Sequence, residues 1–172
     1  SRKESSSASL SVEKLNDRYR NLRLQLSHAL LSRADRRKEH KQEKKQRKAE
    51  EKSRHPGAGA SGRRRVFVLD FKGDIRATAV TALREEISAI LGVASPTDEV
   101  VVRLENFGGA VHEHGLAASQ LMRLRDKGIP LTAIVDKGAA SGGYLMACVA
   151  NRIIAAPFAV LGSIGVIAQL PN

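Results

Sequence analysis

The chain has 172 residues, with 29 Lys and Arg against 18 Asp and Glu, a formal charge of +11 and only 3% aromatic residues. Its single cysteine, Cys148, excludes an intramolecular disulfide framework, and no Cys/His cluster has the spacing of a metal site, so no metal or other cofactor is expected. The apolar stretches are interrupted before the roughly 20 residues a bilayer span needs, and no signal-peptide pattern occurs.

The positive charge is confined to one region. Residues 1–65 carry 20 basic and 8 acidic side chains, net +12, whereas residues 66–172 carry 9 and 10. Within the basic part, Leu15, Tyr19, Leu22, Leu26 and Ala29 recur at helical spacing and predict a short amphipathic helix seeking a partner helix or a membrane surface. Residues 33–54 then lack Val, Ile, Leu, Met and aromatic residues altogether. Burial there has nothing to offset the entropy of ordering, so the run is read as a solvated helix or as disorder. The stretch HPGAGASG at 55–62 reads as a linker. The expected division is a basic extension over residues 1–62 and a folded domain over 63–172.

From Val66 the pattern alternates between short β-branched runs and helical periods. Val66–Asp70 predicts a first strand, and Val80, Leu83, Ile87, Ile90 and Leu91 mark one face of a helix. Val100–Leu104 predicts a second strand. Gly108–Gly109 break the chain before a helix whose face is Leu116, Gln120, Leu121 and Leu124, ended by Lys127–Gly128. Leu131–Val135 is the third strand, Gly138–Gly143 a sharp turn of small residues, 144–150 a buried helix and Arg152–Ala155 a fourth strand. Such alternation implies a parallel sheet covered by helices, with sites at the carboxyl ends of strands.

Two glycine-rich turns, 106-NFGGAV-111 and 138-GAASGGY-144, each follow a strand and open a helix. Facing one another, they would form an anion hole around a nucleophile, because helix starts offer unpaired N–H groups and glycine permits close approach. Ser141 is the candidate nucleophile, between small neighbours and next to the Gly142 N–H. Its competing reading is a plain helix N-cap, for which serine is among the preferred residues. Gly108 and Gly109 likewise read either as oxyanion donors or as a turn that needs positive φ. From spacing alone these alternatives stay open.

The runs 66-VFVLDFKGDI-75, 115-GLAASQL-121 and above all 136-DKGAASGGYLMACVANRIIAAPFAVLGSIGV-166 resemble the SohB-type serine proteases of the signal peptide peptidase A family. The basic N-terminal segment is also similar to that family's extension. The resemblance implies a ClpP/crotonase-like α/β fold of repeated strand–helix units with a parallel sheet. It also implies a Ser–Lys dyad that hydrolyses peptide bonds. Ser141 matches the nucleophile, the N–H groups of Gly142 and Gly108 the oxyanion hole, and Gly109, Gly143 and Ser163 the residues that shape the site. Peptide or protein substrates, a homo-oligomer and association with the bacterial inner membrane are further expectations from the same source.

The sequence departs from the family pattern in two places. Where the family has Ser-Pro-Gly-Gly this chain has 106-NFGG-109, which removes a fixed φ ahead of the glycines. After Ser141 there is neither Lys nor His, so the general base is expected beyond Asn172, and the chain is read as a fragment cut at both ends. Within it, Lys137 reads first as a solvated or ion-paired lysine, Lys72 and Lys127 have no placement argument, and His112 and His114 read first as loop histidines, with a base for Ser141 as the competing reading. The apolar edge around Val160–Leu170 would need a cover. Three other readings compete: a catalytically inactive fragment, a basic binder of anionic lipid or nucleic acid, and a crotonase-like acyl-CoA enzyme. The basic run has no interleaved aromatics for stacking on bases, which favours lipid and argues against specific nucleic-acid recognition.

Overall fold

The computed structural model describes residues 10–52 and 64–165; the linker at 55–62 and the part of the expected edge at 166–170 lie outside the described residues. Two compact units are present, Ser1–Arg63 and Arg64–Asn172. In the first, helix α1 (Leu15–Leu30) is followed by α2 (Arg33–Lys52), so the charged run is helical. Ser32 starts α2 by accepting the Asp35 N–H at 3.3 Å and donating its own hydroxyl to that carboxylate at 2.7 Å. Ser27 donates to Glu39 at 2.9 Å and ties the two helices together. Of the expected apolar stripe of α1, Tyr19, Leu22, Leu26 and Ala29 are exposed and Leu15 is half-buried.

The second unit runs β1 (Val66–Lys72), α3 (Val80–Val93), β2 (Glu99–Asn106), α4 (Val111–Asp126), β3 (Leu131–Ala140), α5 (Gly142–Cys148), β4 (Arg152–Ala155) and β5 (Val160–Gly162). The strands β1, β2, β3 and β4 lie side by side in chain order and are all parallel. Strand β5, absent from the sequence-based expectation, extends the sheet by pairing with the end of β3, Gly138 opposite Val160 and Ala140 opposite Gly162. Its three residues are too few to show a period.

A right-handed crossover that steps the same way each time places every connecting helix on one face of the sheet. Burial agrees with this geometry. Leu69, Phe71, Val100, Val102, Leu104, Leu131, Ala133 and Val135 are buried with Leu83, Ile87, Leu121 and Leu124 of the helices, while Asp70, Lys72 and Arg103 of the opposite face are exposed. The helices therefore cover one face, not both. The other face is laced by ion pairs: Arg103 grips Asp70 at 2.5 and 2.6 Å, and Glu105 lies 3.0 Å from Lys137 and 3.7 Å from Lys72.

Helix α3 keeps its predicted face, with Leu91 half-buried, whereas helix α4 departs from its own. Helix α3 buries Val80, Leu83, Ile87 and Ile90, as the spacing required, with Asp74 Oδ1 accepting the Thr78 N–H at 2.8 Å just ahead of it. Helix α4 buries His114, Ala117, Ala118, Gln120, Leu121 and Leu124 and leaves Leu116 exposed. Ala117 and Ala118, which carry little hydropathic signal, are buried in place of Leu116, and so the face is rotated from the leucine pattern.

Asp98 fastens the entry of β1 to the loop before β2. It is 1% exposed and receives Arg65 Nε at 3.0 Å, Arg65 Nη2 at 2.7 Å and the Ser95 N–H at 2.8 Å. The Arg65 guanidinium, joined by Ser95, holds the Asp98 carboxyl well below the usual carboxylate range. A depressed carboxyl stabilises the fold fully above its unfolded pKa of about 3.9, and that contribution is lost as pH falls toward the folded value. Thermal melts of the wild type and Asp98→Asn are expected to differ clearly at neutral pH and to converge as pH drops from about 5 toward about 2. A difference that stays constant over that range would contradict the role of the pair.

Candidate functional site

The carboxyl ends of β2 and β3 lie next to each other, and the register between them shifts so that Leu104 pairs with Val135 but Asn106 with Ala139. The extra length in β3 carries Gly138 beneath Phe107, whose ring occupies the space a Cβ on Gly138 would need. The predicted turn at Gly138–Gly143 is thus shorter than expected: Gly138, Ala139 and Ala140 belong to β3, and the chain reverses at Ser141 alone.

Ser141 has φ 50° and ψ −118°, a conformation that non-glycine residues rarely adopt and that costs of order 1–3 kcal/mol. The neighbouring structure holds it there. Its N–H donates to Gly162 O at 2.8 Å and its carbonyl accepts the Leu145 N–H at 3.0 Å. Its side chain makes no capping hydrogen bond to helix α5, so the competing N-cap reading does not account for the hydroxyl. The residue is half-buried.

The turn after β2 comes directly against it. Gly108 has φ 91°, and a Cβ placed there would stand 2.6 Å from Ser141 Cβ and 3.0 Å from Ser141 Oγ. The two glycine-rich turns therefore meet around the hydroxyl. Gly109 passes against the backbone of Ile75, whose carbonyl accepts the Ala110 N–H at 2.8 Å. Gly142 follows the hydroxyl at the first position of α5, where an N–H has no partner within the helix. The Gly108 N–H donates to Asn106 Oδ1 at 2.9 Å. Gly143 is buried against Asn106, and a Cβ on it would overlap the Asn106 carbonyl oxygen. Ser163, with φ 53°, is exposed; its neighbour Gly162 is the residue that touches Ser141.

No described side chain stands ready to take the Ser141 proton. Lys137 lies within β3, bonded to Glu105 at 3.0 Å, and this bond holds the Glu105 carboxyl below its usual range. Lys72 shares the same carboxylate, and Lys127 caps the exposed end of α4. His112 is exposed beside Glu113 at 3.5 Å. His114 is not a loop histidine: α4 begins at Val111, which turns the imidazole inward until it is 0% exposed. Its Nδ1 lies 2.9 Å from Ala110 O and its Nε2 3.2 Å from Asn106 Oδ1, so both nitrogens face oxygens of the interior. Asn106, also 0% exposed, was not singled out from the sequence, because an asparagine ahead of a glycine pair reads as turn chemistry.

Two family profiles cover the chain, the N-terminal region of peptidase family S49 over residues 1–121 and peptidase family S49 over residues 123–172. The "Probable protease SohB" of Buchnera aphidicola subsp. Schizaphis graminum is 47% identical over 171 residues, which is 99% of this chain and 50% of that protein. The "Probable protease SohB" of Haemophilus influenzae is 69% identical over 107 residues, 62% of this chain and 30% of the relative. "Protease 4" of Salmonella typhi is 36% identical over 67 residues, 39% of this chain and 11% of the relative. The chain spans half or less of the length of the curated relatives it matches.

The packing at the two turns predicts their sensitivity to a single methyl group. Gly143→Ala, which must displace the end of β2, is expected to destabilise the fold by about 1–3 kcal/mol or more in urea titration. Gly92→Ala, on α3 with nothing within 4 Å of its Cβ position, is expected to be neutral or stabilising by up to about 1 kcal/mol. Equal effects at the two positions would contradict the close approach.

Proposed function

The chain belongs to peptidase family S49, and from that premise we propose that it supplies the nucleophile and oxyanion hole of a SohB-type serine endopeptidase. The observation that carries this reading is the close approach of Gly108 to Ser141, whose hydroxyl sits in a strained turn at the start of helix α5. Ser141 Oγ attacks the peptide carbonyl carbon, its proton passes to a base, and the carbonyl oxygen takes up negative charge. The scissile C–N bond then breaks, with the amine leaving as it accepts that proton, and water hydrolyses the resulting acyl-enzyme.

The Gly142 N–H and the Gly108 N–H hold the oxygen. In the resting arrangement Gly108 donates to the neutral Asn106 amide. A developing oxyanion is a stronger acceptor, since charge-assisted bonds are roughly twice as strong as neutral ones, and it shares the Gly108 N–H with the amide, which keeps its hold on it. Loss of one such donor costs about 10²–10³ in turnover in comparable sites. The base is a lysine in the part of the protein outside these 172 residues, kept neutral by desolvation; the ion pairs of Lys72 and Lys137 and the bonded ring of His114 support that assignment. Gly109, Gly143 and Ser163 shape the surroundings. The folded domain over residues 63–172 carries this chemistry and assembles with copies of itself.

The extension over residues 1–62 associates with an anionic membrane surface. Support comes from the exposed apolar residues of α1 next to the basic helix α2. No described helix is long and apolar enough to cross a membrane. The acyl-CoA alternative has no observation in its favour.

Two measurements on the full-length protein test the proposal. A fluorophosphonate probe is expected to label the wild type and not Ser141→Ala; equal labelling of both would refute the nucleophile. Deleting residues 1–62 is expected to abolish salt-sensitive retention on vesicles containing phosphatidylglycerol without abolishing labelling. Undiminished retention would refute the lipid role.

A further inference from the structure

Behind the two turns lies a polar pair that neither the peptide chemistry nor core packing demands. Asn106 ends β2 and His114 lies on the first turn of α4, and both are 0% exposed among apolar residues. Burying such groups is costly unless their hydrogen bonds are made. Here most of them are made. Asn106 Oδ1 accepts the Gly108 N–H at 2.9 Å and lies 3.2 Å from His114 Nε2, its Nδ2 approaches Met146 Sδ at 3.4 Å, and His114 Nδ1 lies 2.9 Å from Ala110 O. The Gly108 N–H fixes which end of the amide is oxygen, so the Nε2–H tautomer of His114 donates to it, and Nδ1 then faces Ala110 O without a proton.

The pair also touches the other turn. A Cβ on Gly142 would stand 2.5 Å from His114 Cγ, and one on Gly73 would stand 2.6 Å from Asn106 Nδ2. Glycines at these positions let backbone lie flat on both polar side chains. One end of the pair thus holds the Gly108 N–H, and the other end supports the peptide that carries the Gly142 N–H. These are the two amides assigned above to the oxyanion.

Resting on the peptidase reading, we propose that Asn106 and His114 are positioning residues that set the separation of the two oxyanion donors, His114 Nε2 orienting the Asn106 amide and that amide orienting Gly108. The pair touches no reacting atom. Its effect is on the transition state, where the oxygen needs both donors at once, and much less on ground-state binding of an extended peptide.

The test compares His114→Phe, which keeps a ring against Gly142 and loses the donor, with His114→Gln, which retains one, both in the full-length protein alongside Ser141→Ala. His114→Phe is expected to lower kcat roughly 10- to 100-fold, the scale of an ångström misplacement, with KM within about twofold of wild type. His114→Gln is expected to recover most of that loss. A folded His114→Phe with wild-type kcat overturns the proposal, as does equal loss in Phe and Gln, or a loss expressed in KM. Turnover that survives Ser141→Ala overturns the peptidase reading and this one with it, whereas Ser141-dependent turnover indifferent to His114 overturns this one alone. If a variant does not fold, the wild type decides. The ring ¹⁵N signals of His114 should shift when a peptide boronate forms its tetrahedral adduct and not when a product peptide binds, and unmoved signals in the adduct overturn the proposal.

Discussion

The close approach of Gly108 to Ser141 constrains almost everything around it. Two chain reversals at the ends of adjacent parallel strands can meet only if one of them carries no side chain and the other accepts a rare backbone conformation. Gly108 at φ 91° and Ser141 at φ 50° satisfy those two conditions. The strain at Ser141 is held by bonds on both sides, to Gly162 in β5 and to Leu145 in α5. The shifted register of β3 against β2 and the stacking of Phe107 on Gly138 bring the turns to the same height. Phe107 occupies the position where the family pattern has proline, so a ring packed on a glycine takes over the stiffening that a fixed φ would supply.

Much of this was legible in the sequence, for identifiable reasons. The β-branched runs at 66–70, 100–104 and 131–135 and the helical period from Val80 to Ile90 report burial directly, and burial is what sets those elements. The glycine pairs marked both turns. Less visible was anything that depends on distant pairing. Strand β5 exists because Gly138–Ala140 offer it an edge, and the extension of β3 through Gly138 follows from that same pairing, not from local propensity. The inward rotation of α4 puts alanines and His114 in the core and Leu116 outside, which no hydropathic period reports. His114 and Asn106 looked like turn residues because their partners are each other.

The N-terminal unit obeys a different physical logic. Helix α2 has no apolar side to bury, and what orders its start is local: the reciprocal Ser32–Asp35 cap and the Ser27–Glu39 bond to α1. Charge separates the two units as sharply as packing does, since nearly all of the excess of +11 belongs to the first of them. A nearly neutral, packed unit bears the strained serine, and a basic unit bears the uncovered leucines.

The central claim is that backbone amides from two turns converge on an oxygen held at Ser141. A crystal structure of the full-length protein with a peptide boronate bound tests it most directly. The account predicts a covalent bond from Ser141 Oγ to boron, with one boronate oxygen about 3 Å from the amide nitrogens of both Gly142 and Gly108. Boron bonded to another residue, or an oxygen directed to solvent away from either glycine, would contradict it.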